Sequence, residues 1–168
     1  MKPKKRAELA LMVPAGGLVI ELGVAAGKFA EEMLTIAASI EYIGIDRWSD
    51  HHNEQEMGLA ISRIPSHRGG IIRATFEEVA SKIPDSEADM IYIDGYAHTG
   101  QEGGETLRDW YPKLKPGGIF AGHDYCPKYQ PTIDAVDAFV AEHGLELIII
   151  DELPHPSWWV RKPMDSDE

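Results

Sequence analysis

Short apolar runs alternate with amphipathic stretches along most of this chain. Five- or six-residue apolar runs bounded by turn formers read as strands. Stretches with apolar residues three or four apart read as helices. Residues 4–13 fit a short amphipathic helix stopped by Pro14. A strand is predicted at 17–22, then a helix at 28–40 with Phe29, Met33, Ile36 and Ile40 at core-facing spacing. A second strand at 42–46 precedes a helix at 53–64 with Met57, Ala60, Ile61 and Ile64 on one side. Strand three is 70–74, a helix covers 76–83, and strand four is 89–94. The Gly-rich, polar segment 95–104 reads as an active-site loop whose glycines would let it move as a lid. The next helix carries Leu107, Trp110 and Leu114. It ends before Pro116-Gly117-Gly118, a breaker that feeds strand five at 119–122. A last helix at 132–143 has Ile133, Val136 and Val140 on one face and Gly144 as its stop.

The alternation fails at the end. Residues 145–150 and 157–161 are two strands joined by a short Pro-containing connection, which suits an antiparallel pair at a sheet edge. The prediction is an α/β, Rossmann-like three-layer sandwich: a seven-stranded, mostly parallel sheet with the last strand antiparallel, and helices on both faces.

Composition changes the picture in three places. A chain of 168 residues with 43% hydrophobic content fits one domain with one sizeable core. The single cysteine, Cys126, excludes an internal disulfide and suits a reducing cytoplasm; it reads as an ordinary buried or turn residue. The net charge of −12 disfavours a nucleic-acid substrate, although Arg63, His67, Arg68 and Arg73 leave room for local basic patches. The basic start, Lys2 to Arg6, reads as a solvated helix start; no long apolar core follows it, so no signal peptide is expected. No apolar run is long enough to span a bilayer.

The chemistry gathers where the strands end. Glu21 ends strand one, Asp46 strand two and Asp94 strand four, and Asp124 follows strand five. Ligands of such sheets lie outside the carboxyl ends of the strands, so four acids would share one rim there. The run Glu21 to Gly27 carries Gly23, Ala25 and Gly27, which fits E-x-G-x-G-x-G with Ala at the middle glycine, not the dinucleotide pattern G-x-G-x-x-G. An acidic rim suits a cationic ligand better than a pyrophosphate.

Three further motifs follow in order: Tyr92-Ile93-Asp94-Gly95, Leu114-Lys115-Pro116-Gly117-Gly118 and Gly122-His123-Asp124-Tyr125. With the first two strand ends they resemble the class I S-adenosylmethionine-dependent methyltransferases over nearly the whole chain. The Ile-Asp-Gly-x-x-His and Gly-His-Asp-Tyr signatures are similar to those of methyltransferase family 24, and to metal-dependent O-methyltransferases. The resemblance implies a single domain over 1–168, with an N-terminal helix to residue 15, a cofactor-binding core at 16–125 and a C-terminal helix and strand pair. It implies that Glu21 sits near the methionine ammonium and that Gly23, Val24, Ala25 and Gly27 line the loop under the cofactor. It places Asp46 on the ribose, Arg47 or Trp48 beside the adenosine, Thr75 and Phe76 beside the adenine, and Asp94 and Gly95 at the sulfonium.

The implied reaction is methyl transfer from S-adenosylmethionine to a small-molecule acceptor, at a hydroxyl oxygen, by SN2 displacement. Asp94, His98, His123 and Asp124 are the candidate catalytic residues. Three readings of them stand side by side. Asp94, His123 and Asp124 would hold a divalent metal, magnesium or manganese, with His123 shifting preference away from magnesium. Alternatively, His98 or His123 is a general base oriented by an acid. In the third, His123 and Asp124 only satisfy backbone groups. His51 and His52, in the loop after strand two, are candidates to contact adenine or substrate; His67, His143 and His155 read as solvated surface; Trp158 and Trp159 read as packing. An NAD-dependent oxidoreductase and a non-catalytic binding module on the same fold are the competing functions. The acceptor site is expected to be open, or completed by the 95–104 segment or by a second subunit of a homo-oligomer.

Overall fold

The computed structural model describes residues 2–165. Its sheet contains β1 (Leu18–Leu22), β2 (Glu41–Asp46), β3 (Gly69–Arg73), β4 (Ala88–Ile93), β5 (Leu114–Gly122), β6 (Ile148–Ile150) and β7 (Ser157–Arg161). The strand order is β3-β2-β1-β4-β5-β7-β6. The first five strands run parallel; β7 lies antiparallel between β5 and β6. The helices are α1 (Lys28–Ile36), α2 (Glu54–Arg63), α3 (Phe76–Ala80), the short α4 (Gly100–Gly103), α5 (Glu105–Trp110) and α6 (Gln130–His143). The seven-stranded sandwich is therefore the expected one.

Alternating side chains divide the core between the two faces of the sheet. Val19, Tyr42, Met90, Tyr92 and Trp159 pack on one face with α1 and the N-terminal segment. Ile20, Ile91, Ile93, Phe120 and Trp158 pack on the other with α3, α5 and α6. Neighbouring Trp158 and Trp159 thus serve opposite cores, because successive strand side chains point to opposite faces.

Several local expectations are corrected. The N-terminal segment is a 3₁₀ helix, Arg6–Met12, with Ala7, Leu9 and Ala10 buried. Leu114 belongs to β5, where it pairs with Ala88; the register then shifts before Met90 meets Ile119. That irregularity takes in Pro116, which has no N–H to donate. Ile61 is 56% exposed, because α2 buries only its Ala60 edge. α1 ends at Ile36, and Ile40 reaches the core from the following loop.

Segment 95–104 folds back as a 3₁₀ turn, Ala97–Thr99, and then α4, a single left-handed turn in which Gly100, Gln101, Glu102 and Gly103 have φ of 65, 52, 56 and 63. It docks on α6: Thr132 Oγ1 donates to the Ala97 carbonyl at 2.7 Å. A Cβ on Gly100 would lie 2.3 Å from the Pro131 carbonyl oxygen.

The arginines from the end of α2 onward serve the fold. The Arg68 guanidinium donates to the carbonyls of Ile40, Leu34 and Ala37 around the end of α1. Arg63 reaches the Ala26 carbonyl, and Arg73 pairs with Glu54 at 2.9 Å. These three arginines do not make a free patch for phosphate. No helix among the described residues is long and apolar enough to cross a membrane.

Candidate active site

A cleft of about 820 Å³ opens at the carboxyl ends of β1, β2 and β4. Glu21, Gly23, Asp46, Asp94, Tyr96 and Asp124 are on its wall. The loop from Gly23 to Gly27 crosses its floor. Gly23 has φ +94, and a Cβ there would lie 2.3 Å from the Asp94 carbonyl oxygen, so only glycine fits where the β1 and β4 ends converge. Ala25 occupies the left-handed region at φ 48. Hydrogen bonds hold it there: Asp46 Oδ2 accepts the N–H groups of Val24 and Ala25, both at 2.9 Å. The Trp48 indole donates to the Ala25 carbonyl at 2.8 Å.

The family resemblance implied Arg47 or Trp48 beside the adenosine; Arg47 lines the cleft and Trp48 does not. The structure buries it beneath the loop at 1% exposure, as a support for the cleft floor. Gly27 is also behind the floor. It caps α1, and its missing Cβ lets Ala60 of α2 approach; a Cβ would meet Ala60 Cα at 2.8 Å. Thr75 caps α3 through a reciprocal pair with Glu78, and borders a neighbouring pocket of about 320 Å³ rather than the main cleft. Val24, Ala25, Arg47, Phe76 and Gly95 do line the cleft. Arg47 is paired there with Asp50 at 3.2 Å.

Glu21 is buried at 1% exposure, and its carboxylate accepts the Tyr42 hydroxyl. Burial is the main force raising its pKa, to about 8; the charges of Asp94 and Asp46 add to it, against the Tyr42 bond and Arg6. Asp94 behaves oppositely. Burial pushes its pKa up, but bonds and charges from His123 and Arg6 outweigh it and hold it below the ordinary value.

Asp94, His123 and Asp124 converge, with candidate ligand atoms all within 4.8 Å of one another. His123 Nδ1 is 3.3 Å from Asp94 Oδ1 and 3.3 Å from Asp124 Oδ1. Burial pulls the His123 pKa down; the bonds to Asp124 and Asp94 overcome this and raise it to about 9. His98 is exposed on the cleft wall, and among the described residues no hydrogen bond or ion pair ties it to these acids.

Three site residues escape the sequence reading. Arg6, read as part of a solvated start, has its Nη1 3.1 Å from Asp94 Oδ2. Tyr96 faces the cleft with Phe76, their rings 5.2 Å apart in an edge-to-face contact. His155, read as surface, sits in the β6–β7 connection with its Nδ1 3.0 Å from Asp124 Oδ1. Tyr96 carried a signal, an aromatic directly after Asp94-Gly95. So did His155, fixed between Pro154 and Pro156 at a strand end. Arg6 carried none apart from the buried Ala7, Leu9 and Ala10 that follow it.

A parallel sheet with an antiparallel β7 inserted near its edge, a small-residue loop after β1 and carboxylates on the strand ends are the features of a Rossmann-like methyltransferase domain. The pattern of the family 24 methyltransferase domain matches residues 20–125, and the chain belongs to this family. Its fold is shared with solved structures of low identity. An S-adenosylmethionine-dependent O-methyltransferase of Thermotoga maritima superposes with a TM-score of 0.70 at 16% identity, covering 100% of this chain and 68% of that one. A precorrin-6y C5,15-methyltransferase of Geobacter metallireducens gives 0.71 at 15% identity, covering 93% and 85%. A protein of Corynebacterium glutamicum gives 0.72 at 15% identity, covering 96% and 80%. In sequence, a protein of Sinorhizobium fredii is 26% identical over 117 residues, which is 63% of this chain but 13% of that protein's length.

Proposed function

We propose that this domain transfers a methyl group from S-adenosylmethionine to a hydroxyl oxygen of a small molecule, with a divalent cation held by Asp94, His123 and Asp124. The observation that carries the reading is the convergence of those three ligands beside the cleft that Glu21 and Asp46 also border.

The wall suits the cofactor's parts. Glu21 accepts the ammonium, and Asp46 Oδ1, which among the described residues has only a long 3.3 Å bond from the Trp48 N–H, accepts a ribose hydroxyl. Phe76 and Tyr96 give the adenine an aromatic corner, and Arg47 flanks the adenosine. Gly23 and Gly95 leave room for the sulfonium beside Asp94. Two carboxylates and an imidazole favour manganese, iron or zinc over magnesium. A cation bound there would hold the acceptor hydroxyl and lower its pKa. The transferred methyl is already activated, so the residues need only align and deprotonate the oxygen; Cys126, buried away from the cleft wall, has no part in the transfer.

The test is a calorimetric titration of metal-stripped protein with S-adenosylhomocysteine, repeated with manganese. Micromolar binding that strengthens with manganese supports both halves of the reading. Binding indifferent to manganese, and unchanged in Asp94→Asn, removes the cation. A folded protein that binds no S-adenosylhomocysteine overturns the methyl-transfer reading and brings forward an NAD enzyme or a binding module.

A further inference from the structure

The cleft contains a cation that the reading above leaves unused. Arg6 is held from three sides. Its backbone N–H donates to the Glu152 carboxylate beyond β6. Its guanidinium lies over the Phe29 ring, 4.5 Å from the centroid. Its Nη1 donates to Asp94 Oδ2 at 3.1 Å and, at 3.5 Å, to the Tyr92 hydroxyl. Among the described residues no hydrogen bond engages Nε or Nη2, and the side chain, 24% exposed, reaches the cleft wall.

We propose that Arg6 binds the α-carboxylate of the cofactor's methionine end, while Glu21 takes the ammonium of the same group. This rests on the methyl-transfer reading. An amino-acid zwitterion needs an acid and a cation at one end of its site. Arg6 and Glu21 are such a pair: both face the cleft, and each feels the other's charge. The other long cationic side chains on the wall suit the role less. Lys28 is exposed, and Arg47 is already paired with Asp50. A guanidinium offers parallel N–H groups that match a carboxylate, and Arg6 retains unused donors after its bond to Asp94. Its stacking on Phe29 and its backbone tie to Glu152 fix the group before the ligand arrives, so little side-chain freedom is lost on binding. The N-terminal segment thereby becomes part of the cofactor site.

The test compares two thioethers by calorimetry: S-adenosylhomocysteine and its decarboxylated analogue, which keeps the amine and lacks the carboxylate. The native protein is expected to favour the carboxylated compound by about tenfold to a hundredfold, the range of a charge-assisted contact. Arg6→Gln is expected to abolish that preference, the carboxylated compound losing at least tenfold more affinity than the decarboxylated one. Arg6→Lys keeps the charge without the fork and is expected to retain part of the preference; it also serves if the glutamine variant does not fold, which circular dichroism and a melt report. Equal losses for both thioethers, or none, in Arg6→Gln overturn the assignment and leave the cofactor reading intact. A native protein that binds neither compound overturns both.

Discussion

His155 Nδ1 lies 3.0 Å from Asp124 Oδ1, joining the β6–β7 connection to the turn after β5. The contact brings the antiparallel strand pair into the chemistry of the site. His155 shares that oxygen with His123, whose Nδ1 is 3.3 Å from it; the two ring centroids are 5.9 Å apart.

That relationship predicts a graded loss of metal affinity. Asp94→Asn or Asp124→Asn removes a proposed ligand, and His155→Ala removes the group that orients one. Partners of this second kind contribute about 10–100-fold in affinity. Manganese binding followed by electron paramagnetic resonance is expected to weaken in all three variants, most in the Asp94 and Asp124 ones. Unchanged manganese affinity in Asp124→Asn would remove the ion from this place.

Asp46 should prove structural as well as ligand-binding. Its buried carboxylate holds the N–H groups of Val24 and Ala25 and fixes Ala25 at positive φ. Asp46→Ala leaves these donors without their charged acceptor, a loss of about 2–4 kcal/mol. Urea unfolding measures it. A variant as stable as the native chain would show that the loop stands without Asp46.

Gly23→Ala is expected to be worse tolerated than its small size suggests. The new Cβ would meet the Asp94 carbonyl oxygen at 2.3 Å, in a left-handed conformation at φ +94. Strain of this kind costs about 1–3 kcal/mol before the clash is relieved. We expect a lower melting temperature together with weaker S-adenosylhomocysteine binding. Native-like values for both would mean that the β1 and β4 ends separate easily.

Glu21 gives stability a distinctive pH dependence. Its carboxyl stays protonated in the folded chain up to about pH 8, whereas the unfolded carboxyl ionises near its ordinary 4.5. Between these values the folded state carries the extra proton, so this group's contribution falls as pH rises from about 5 to 8 and then levels off. Glu21→Gln is expected to flatten that part of the stability profile. An incoming ammonium favours the ionised carboxylate, so S-adenosylhomocysteine binding at pH 7 is expected to release protons. Calorimetry in two buffers of different ionisation enthalpy reads this directly. The same proton release in Glu21→Gln would assign it to another group.

Much of this was legible along the chain because the interactions concerned are local or periodic. Apolar runs located the strands. Acids at the ends of β1, β2 and β4 located the rim, since a parallel sheet puts all those ends on one side. Gly23 was marked as a turn residue, and its neighbour Asp94 is held close by the pairing of β1 with β4. The Gly-His-Asp-Tyr run brought His123 and Asp124 to the end of β5.

Only the tertiary structure decided which side chains meet across elements far apart in sequence. Trp48 looks like a ligand-stacking aromatic in a loop, yet the fold turns it inward to the Ala25 carbonyl. Arg6 and Asp94 are 88 residues apart, and nothing periodic in the sequence couples them. His155 reaches Asp124 because β7 enters the sheet beside β5, a pairing that no local pattern encodes. Local propensity and hydrophobic period fix the elements and the strand ends. Packing of one element on another fixes which charges share a cleft.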